Sequence, residues 1–190
     1  MHAKYDYIAF LDADDIWESD YLECQKKLIG TYPDAGIYST AFYSLEKGKR
    51  KLRNVLINEH IHFLVHDYFK ESVICWTSSL CLKKEVIKEI PMFRVGIKRG
   101  EDLDLWLRIA LNYDVAYLNL PKVFYRTGLS DSLTSDYSKN GEFPYYEWFN
   151  FTSESSYYRK YVILVVYIHA KNAFIHHDYD TCLAELWSVK

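Results

Sequence analysis

The densest set of chemically capable side chains is Asp12-Ala13-Asp14-Asp15, directly after the apolar run Ile8-Ala9-Phe10-Leu11. Carboxylates this close repel one another, and a hard divalent cation, Mg²⁺ or Mn²⁺, relieves the repulsion by bridging their oxygens. Ligands of open α/β sheets bind beyond the carboxyl ends of strands, so acids at a strand tip stand where a site would be. The alternative is an acidic loop that caps the next helix, although one cap needs only one such residue. A second candidate is Gly100-Glu101-Asp102. A carboxylate in a first helical turn stays ionised and can take a proton from a hydroxyl, although acids there are also ordinary capping.

The elements that must position these acids follow from hydrophobic period and breakers. Tyr5 to Leu11 is expected as a strand covered on both faces inside a mostly parallel sheet, since its apolar run is continuous. A helix is expected from Ser19 or Asp20, with Tyr21, Leu22, Leu28 and Ile29 on its apolar stripe and Gly30 and Pro33 ending it. Gly36 to Leu45 alternates as a strand, and Glu46-Lys47-Gly48-Lys49 supplies a turn into Lys49 to Arg53 and Val55-Leu56-Ile57. His60 to Phe69 reads as helix, Ser78 to Leu82 as a short strand, and Lys83 to Ile90 as a helix closed by Pro91. Leu103, Trp106, Leu107, Ala110 and Leu111 recur at helical spacing in the segment opened by Glu101. Val115 to Leu118 and Val123 to Tyr125 read as two strands separated by Pro121. A polar loop, Thr127 to Phe143, divides residues 1–143 from a helical extension over 144–190. In that extension Tyr157, Tyr158, Tyr161, Leu164, Val165 and Ile168 form a stripe suited to packing on the body or on a second copy, with membrane-surface docking the weaker option.

Composition narrows the classes. Hydrophobic residues make up 49% and charged residues 26% of 190, which is globular and excludes a disordered or fibrous chain. With Lys+Arg 23 against Asp+Glu 26 the net charge is -3, so no nucleic-acid surface is expected. The run Tyr161 to Ile168 is too short to span a bilayer, which takes about 20 apolar residues. Cys24, Cys75, Cys81 and Cys182 show no C-x-x-C spacing and are expected as free thiols in a reducing compartment. His60, His62 and His66 read as surface residues, since the first two lie nearly opposite each other on a helix. Lys47 to Arg53 holds five basic residues and is expected as a solvated hairpin, with an anionic lipid or phosphate as the alternative partner.

Tyr7-Ile8-Ala9-Phe10-Leu11-Asp12-Ala13-Asp14-Asp15-Ile16-Trp17, followed by Gly100-Glu101-Asp102-Leu103-Asp104-Leu105-Trp106-Leu107-Arg108, resembles the family-2 inverting glycosyltransferases with a GT-A fold. Thr77-Ser78-Ser79 matches the usual lead-in to a short helix, and Phe124-Tyr125-Arg126 with Ser130, Ser132 and Leu133 looks like the Tyr-Arg…Ser segment that follows. The resemblance covers about Tyr5 to Leu133. It implies a GT-A-like α/β fold, with a mixed, mostly parallel sheet flanked by helices and a helical extension. It also implies transfer of a sugar, with inversion, from a nucleotide-sugar donor to a glycan or lipid-linked acceptor. The setting it implies is cytoplasmic, peripheral at the inner face of a bacterial membrane.

Residue roles come with it. Asp12 would contact the donor ribose or the metal shell, Asp14 would ligate Mn²⁺ or Mg²⁺, and Asp15 would assist. Asp102, beside Glu101, would be the general base, and Arg126 could contact phosphate, although an Arg after a strand is more often a structural ion pair. Family members carry a strand-helix-strand nucleotide-binding half before the first acids, whereas here Met1 to Leu11 precede them. An amino-terminally truncated chain with weak or no activity alone is therefore expected, and a catalytically inactive sugar- or nucleotide-binding remnant is the alternative. A haloacid-dehalogenase-like phosphatase, with Asp12 as nucleophile and Asp14 as acid/base, is a lesser rival, because Glu101-Asp102 would then have to follow a strand.

Overall fold

The computed structural model of the chain describes residues 3–53, 55, 60–71, 75–97, 99–128 and 145–187. The expected strand at Val55-Leu56-Ile57 and the motif residues Ser130, Ser132 and Leu133 lie wholly or mainly outside them. In chain order the elements are β1 (Tyr7–Ala9), β2 (Ile16–Trp17), α1 (Tyr21–Thr31), β3 (Ile37–Glu46), β4 (Lys49–Arg53), β5 (His62–Val65) and α2 (Tyr68–Glu71). A 3-10 turn, Thr77–Ser79, then precedes β6 (Leu80–Lys83), α3 (Val86–Glu89), α4 (Glu101–Ala110), β7 (Val115–Thr127), α5 (Tyr145–Trp148), α6 (Tyr158–Ile175) and α7 (Tyr179–Trp187).

The sheet runs β1-β6-β3-β7-β2, with β4 added to β3 and β5 to β7. The α/β class, the flanking helices and the carboxyl-terminal helical pair are as expected for a GT-A-like fold. The sheet is mixed, as expected, but mostly antiparallel and not mostly parallel. β3 and β7 are parallel, while β1/β6, β2/β7, β3/β4, β3/β6 and β5/β7 are antiparallel. The continuous apolar run of β1 explains the difference: Ile8 and Phe10 pack on one core and Tyr7 and Ala9 on another. Covering both faces of a strand demands apolar continuity whichever way its neighbours run.

Other boundaries shift for local reasons. Gly30 lies inside α1, which ends at Thr31, ahead of Pro33. Leu22 is exposed, and Gln25 occupies the buried stripe, donating to Tyr21 Oη (3.0 Å) and to the Ser79 carbonyl (3.3 Å). The segment 60–69 is not one helix. Phe63 pairs with Tyr117 in the sheet, and Asp67 Oδ1 then accepts the Phe69 and Lys70 amides (3.1 and 3.0 Å), so the helix starts only at Tyr68. Pro121 does not divide β7, because it sits where the β3/β7 register shifts and no ladder amide is needed.

The main core joins body and extension. Ile37, Leu80, Leu105, Trp106, Leu107 and Val115 pack with Trp148, Tyr158, Tyr161, Val162, Val165 and Val166. In α6 the buried face therefore keeps Tyr158, Tyr161 and Val165 of the expected stripe, takes Val162 and Val166, and leaves Tyr157, Leu164 and Ile168 exposed. All four cysteines are free thiols. Among the described residues no helix is long and apolar enough to cross a membrane.

Candidate functional site

The acidic turn is assembled from three directions. Past β1 the Phe10 amide donates to the Leu80 carbonyl (3.3 Å) and the Asp12 amide to Ser78 Oγ (3.1 Å). The Asp15 amide then closes a tight turn on the Asp12 carbonyl (3.0 Å), which is how three acids crowd one strand tip. β2 leaves that turn and lies against β7, pairing Ile16 with Phe124 and Trp17 with Val123. Arg126, just beyond on β7, donates its amide to Asp15 Oδ1 (3.1 Å) and its Nε–H to the Asp14 carbonyl. Its guanidinium thus holds the turn's backbone.

Asp102 reaches the same place from α4. Gly100 ahead of it has φ 69°, a left-handed conformation that costs glycine little and aims the helix start. Asp102 Oδ1 accepts the Leu103 amide (2.6 Å), and Oδ2 accepts the Thr77 hydroxyl (2.7 Å). The next residue, Ser78, donates its hydroxyl to Asp15 Oδ2 (2.6 Å), while its carbonyl accepts the Trp17 indole N–H (2.7 Å). Two adjacent hydroxyls on one 3-10 turn therefore tie the strand-tip acids to the helix-start acid.

The electrostatics report the same convergence. Partial desolvation of its carboxyl at the crowded turn, reinforced by the charges of Asp15, Asp102 and Asp14, raises Asp12 above its ordinary range. Burial also raises Asp15, against the lowering pull of its hydrogen bonds from Ser78 and the Arg126 amide. Asp12 is exposed, Asp14 and Asp102 are half-buried and Asp15 is buried. Glu101, by contrast, is exposed and is not brought into these contacts.

The donor chemistry suits a hard cation held jointly with a ligand. Among the described residues no group of three or more His, Cys, Asp or Glu could hold a metal ion unaided. Mg²⁺-like ions seldom use such cages; they take one or two carboxylates and complete their shell with waters and phosphate oxygens. Asp15 is buried and faces the Ser78 hydroxyl and the Arg126 amide, whereas Asp12 is exposed and Asp14 half-buried, so Asp12 and Asp14 are the carboxylates that could meet an ion.

Sequence reasoning missed two features. Thr77 and Ser78 read only as a lead-in to a helix, and their hydroxyls are what bridge the acids; small hydroxyls ahead of a buried strand are the available signal. Asp104 was assigned no role. It is fully buried and accepts from Arg94 Nε (3.0 Å) and Nη2, Arg108 Nε (2.9 Å) and Trp148 Nε1 (2.8 Å). His66 and Asp114 form a surface pair at 2.8 Å, and His62 meets the Tyr32 hydroxyl at 3.2 Å.

Residues 1–90 match the family model described as Glycosyl transferase family 2. The chain is also similar to an uncharacterized glycosyltransferase of Methanocaldococcus jannaschii, 26% identical over 145 residues, covering 76% of this chain and 50% of that protein. The chain thus spans about half the length of the curated relative it matches.

Proposed function

We propose that this chain, whose residues 1–90 match the family 2 glycosyl transferase model, is the metal- and acceptor-binding portion of an enzyme that transfers a sugar from a nucleotide donor to an acceptor hydroxyl with inversion. The observation that carries the reading is the Thr77–Ser78 turn, whose neighbouring hydroxyls join Asp102 to the Asp12–Asp15 acids.

Asp102 would receive the acceptor hydroxyl's proton as its oxygen bonds to the anomeric carbon and the bond to the nucleoside diphosphate breaks, the electron pair leaving with the diphosphate. Each Asp102 oxygen accepts one protein hydrogen bond and keeps a lone pair for the incoming proton. Asp12 and Asp14 would hold Mn²⁺ or Mg²⁺, which when bound supplies charge stabilisation to the departing diphosphate. Asp15 and Arg126 would keep the turn in shape, and Glu101 lies too far out in solvent for more than an accessory part. Glu101-Asp102 follows a loop, not the strand that the phosphatase alternative requires.

Calorimetry with Mn²⁺ and a panel of nucleoside diphosphates tests the reading. Metal-dependent binding is expected, lost in Asp14→Asn and kept in Asp102→Asn, whose turnover with a competent acceptor falls by about 10²- to 10⁴-fold. Metal-independent binding, or none, would refute it.

A further inference from the structure

The basic run after β3 is better placed than a solvated hairpin needs to be. Lys47 and Gly48 both have positive φ (47° and 77°), giving the tight turn that keeps β3 and β4 regularly paired from Glu46/Lys49 to Phe42/Arg53. Strand alternation then puts Arg53, Lys51 and Lys49 on the same sheet face as Phe42, Ser44 and Glu46, and as Tyr125 and Thr127 across the parallel ladder. With Trp76 these residues line a cleft of about 900 Å³.

Its floor is aromatic. Ring centroids of Trp76 and Tyr125 lie 4.2 Å apart, with Phe42 at 5.4 Å from Trp76 and 6.3 Å from Tyr125. Its wall is cationic: among the described residues Lys47, Lys49, Arg50, Lys51 and Arg53 line it against one acid, Glu46, on a chain whose net charge is -3. The floor borders the acids on both sides. Trp76 precedes Thr77, which holds Asp102, and Tyr125 precedes Arg126, whose amide holds Asp15.

We infer that this cleft binds an anionic saccharide, with the sugar ring on the Trp76–Tyr125 floor and its phosphate or carboxylate against Lys49, Lys51 and Arg53. A concave aromatic floor with a few directed charges is the usual make-up of a small-molecule site. The donor's diphosphate is served by the acids and their cation, so a second, permanently cationic wall answers a charge on the other substrate. Naming that saccharide as the acceptor rests on the transferase reading above; the binding itself does not.

The test titrates the whole chain, free of nucleotide and metal, with tetragalacturonate and its neutral methyl ester, and with maltotetraose 1-phosphate and maltotetraose. At least one anionic tetrasaccharide is expected to bind about tenfold or more tighter than its neutral counterpart, and which pair shows the gap tells carboxylate from phosphate. The gap should shrink severalfold between about 50 and about 300 mM NaCl. It should vanish in the double variant Lys49→Glu, Lys51→Glu, both exposed, whose fold is verified by its circular dichroism melt. Equal affinities within both pairs, a gap that survives charge reversal, or displacement by a nucleoside diphosphate would overturn the inference, as would equal or tighter binding to phosphatidylglycerol vesicles. Nucleotide binding without saccharide preference sinks this proposal alone, and saccharide preference without metal-dependent nucleotide binding sinks the transferase reading alone.

Discussion

Thr77 and Ser78 are neighbours whose hydroxyls serve acids from opposite parts of the chain, and a change of one atom separates orientation from fold. Thr77→Val keeps the side-chain shape and removes the donor to Asp102 Oδ2. We expect turnover to fall about 10- to 100-fold, with the donor Michaelis constant nearly unchanged and Thr77→Ser restoring most of the loss. A loss in the serine variant with none in the valine variant would mean the threonine methyl, not its hydroxyl, matters. The acids themselves were legible in the sequence, because repulsive charge at the end of an apolar run has few structural excuses. Their bridging was not: a hydroxyl's partner depends on three-dimensional approach over 25 residues from Thr77 to Asp102 and 63 from Asp15 to Ser78, and nothing local encodes it.

At the scale of elements, β3 and its packing carry the site. Gly36 opens β3, and a Cβ added there would meet Tyr113 Cβ at 2.6 Å, the root of that side chain and not its flexible end. Gly36→Ala must therefore push β3 away from the turn after α4. A loss of about 1–3 kcal/mol in urea denaturation is expected, and an unchanged midpoint would show that the turn yields. The helices α1 and α4 and the strand β3 were readable from period and breakers. The segment 60–69 was misread because Asp67 starts a helix late, a capping event that apolar spacing alone does not reveal. Parallel against antiparallel pairing was likewise hidden, since a strand buried on both faces has the same composition in either direction.

For the whole molecule, the α6–α7 pair adds two titratable groups shifted in opposite directions. Burial, with Arg99's charge, lowers His169 to about 4, and burial raises Glu185 to about 7. Between roughly pH 4.5 and 6.5 the unfolded chain protonates the histidine and ionises the glutamate, and the folded chain does the reverse, so both bind one proton and the two slopes cancel. Glu185→Gln removes the term that falls with rising pH and leaves the histidine term, which rises. The melting temperature of the variant minus that of the parent should therefore climb from pH 4.5 to 7; a level difference would mean that Glu185 titrates normally. Asp104 gives the extension a second meaning. Two residues along α4 from Asp102, it is fastened to Arg94, Arg108 and Trp148, and Trp148 belongs to the carboxyl-terminal helices. Those distant helices act as a stay on the helix start that carries Asp102, the proposed proton acceptor, so injury to them is expected to let that carboxylate drift while the sheet stays intact.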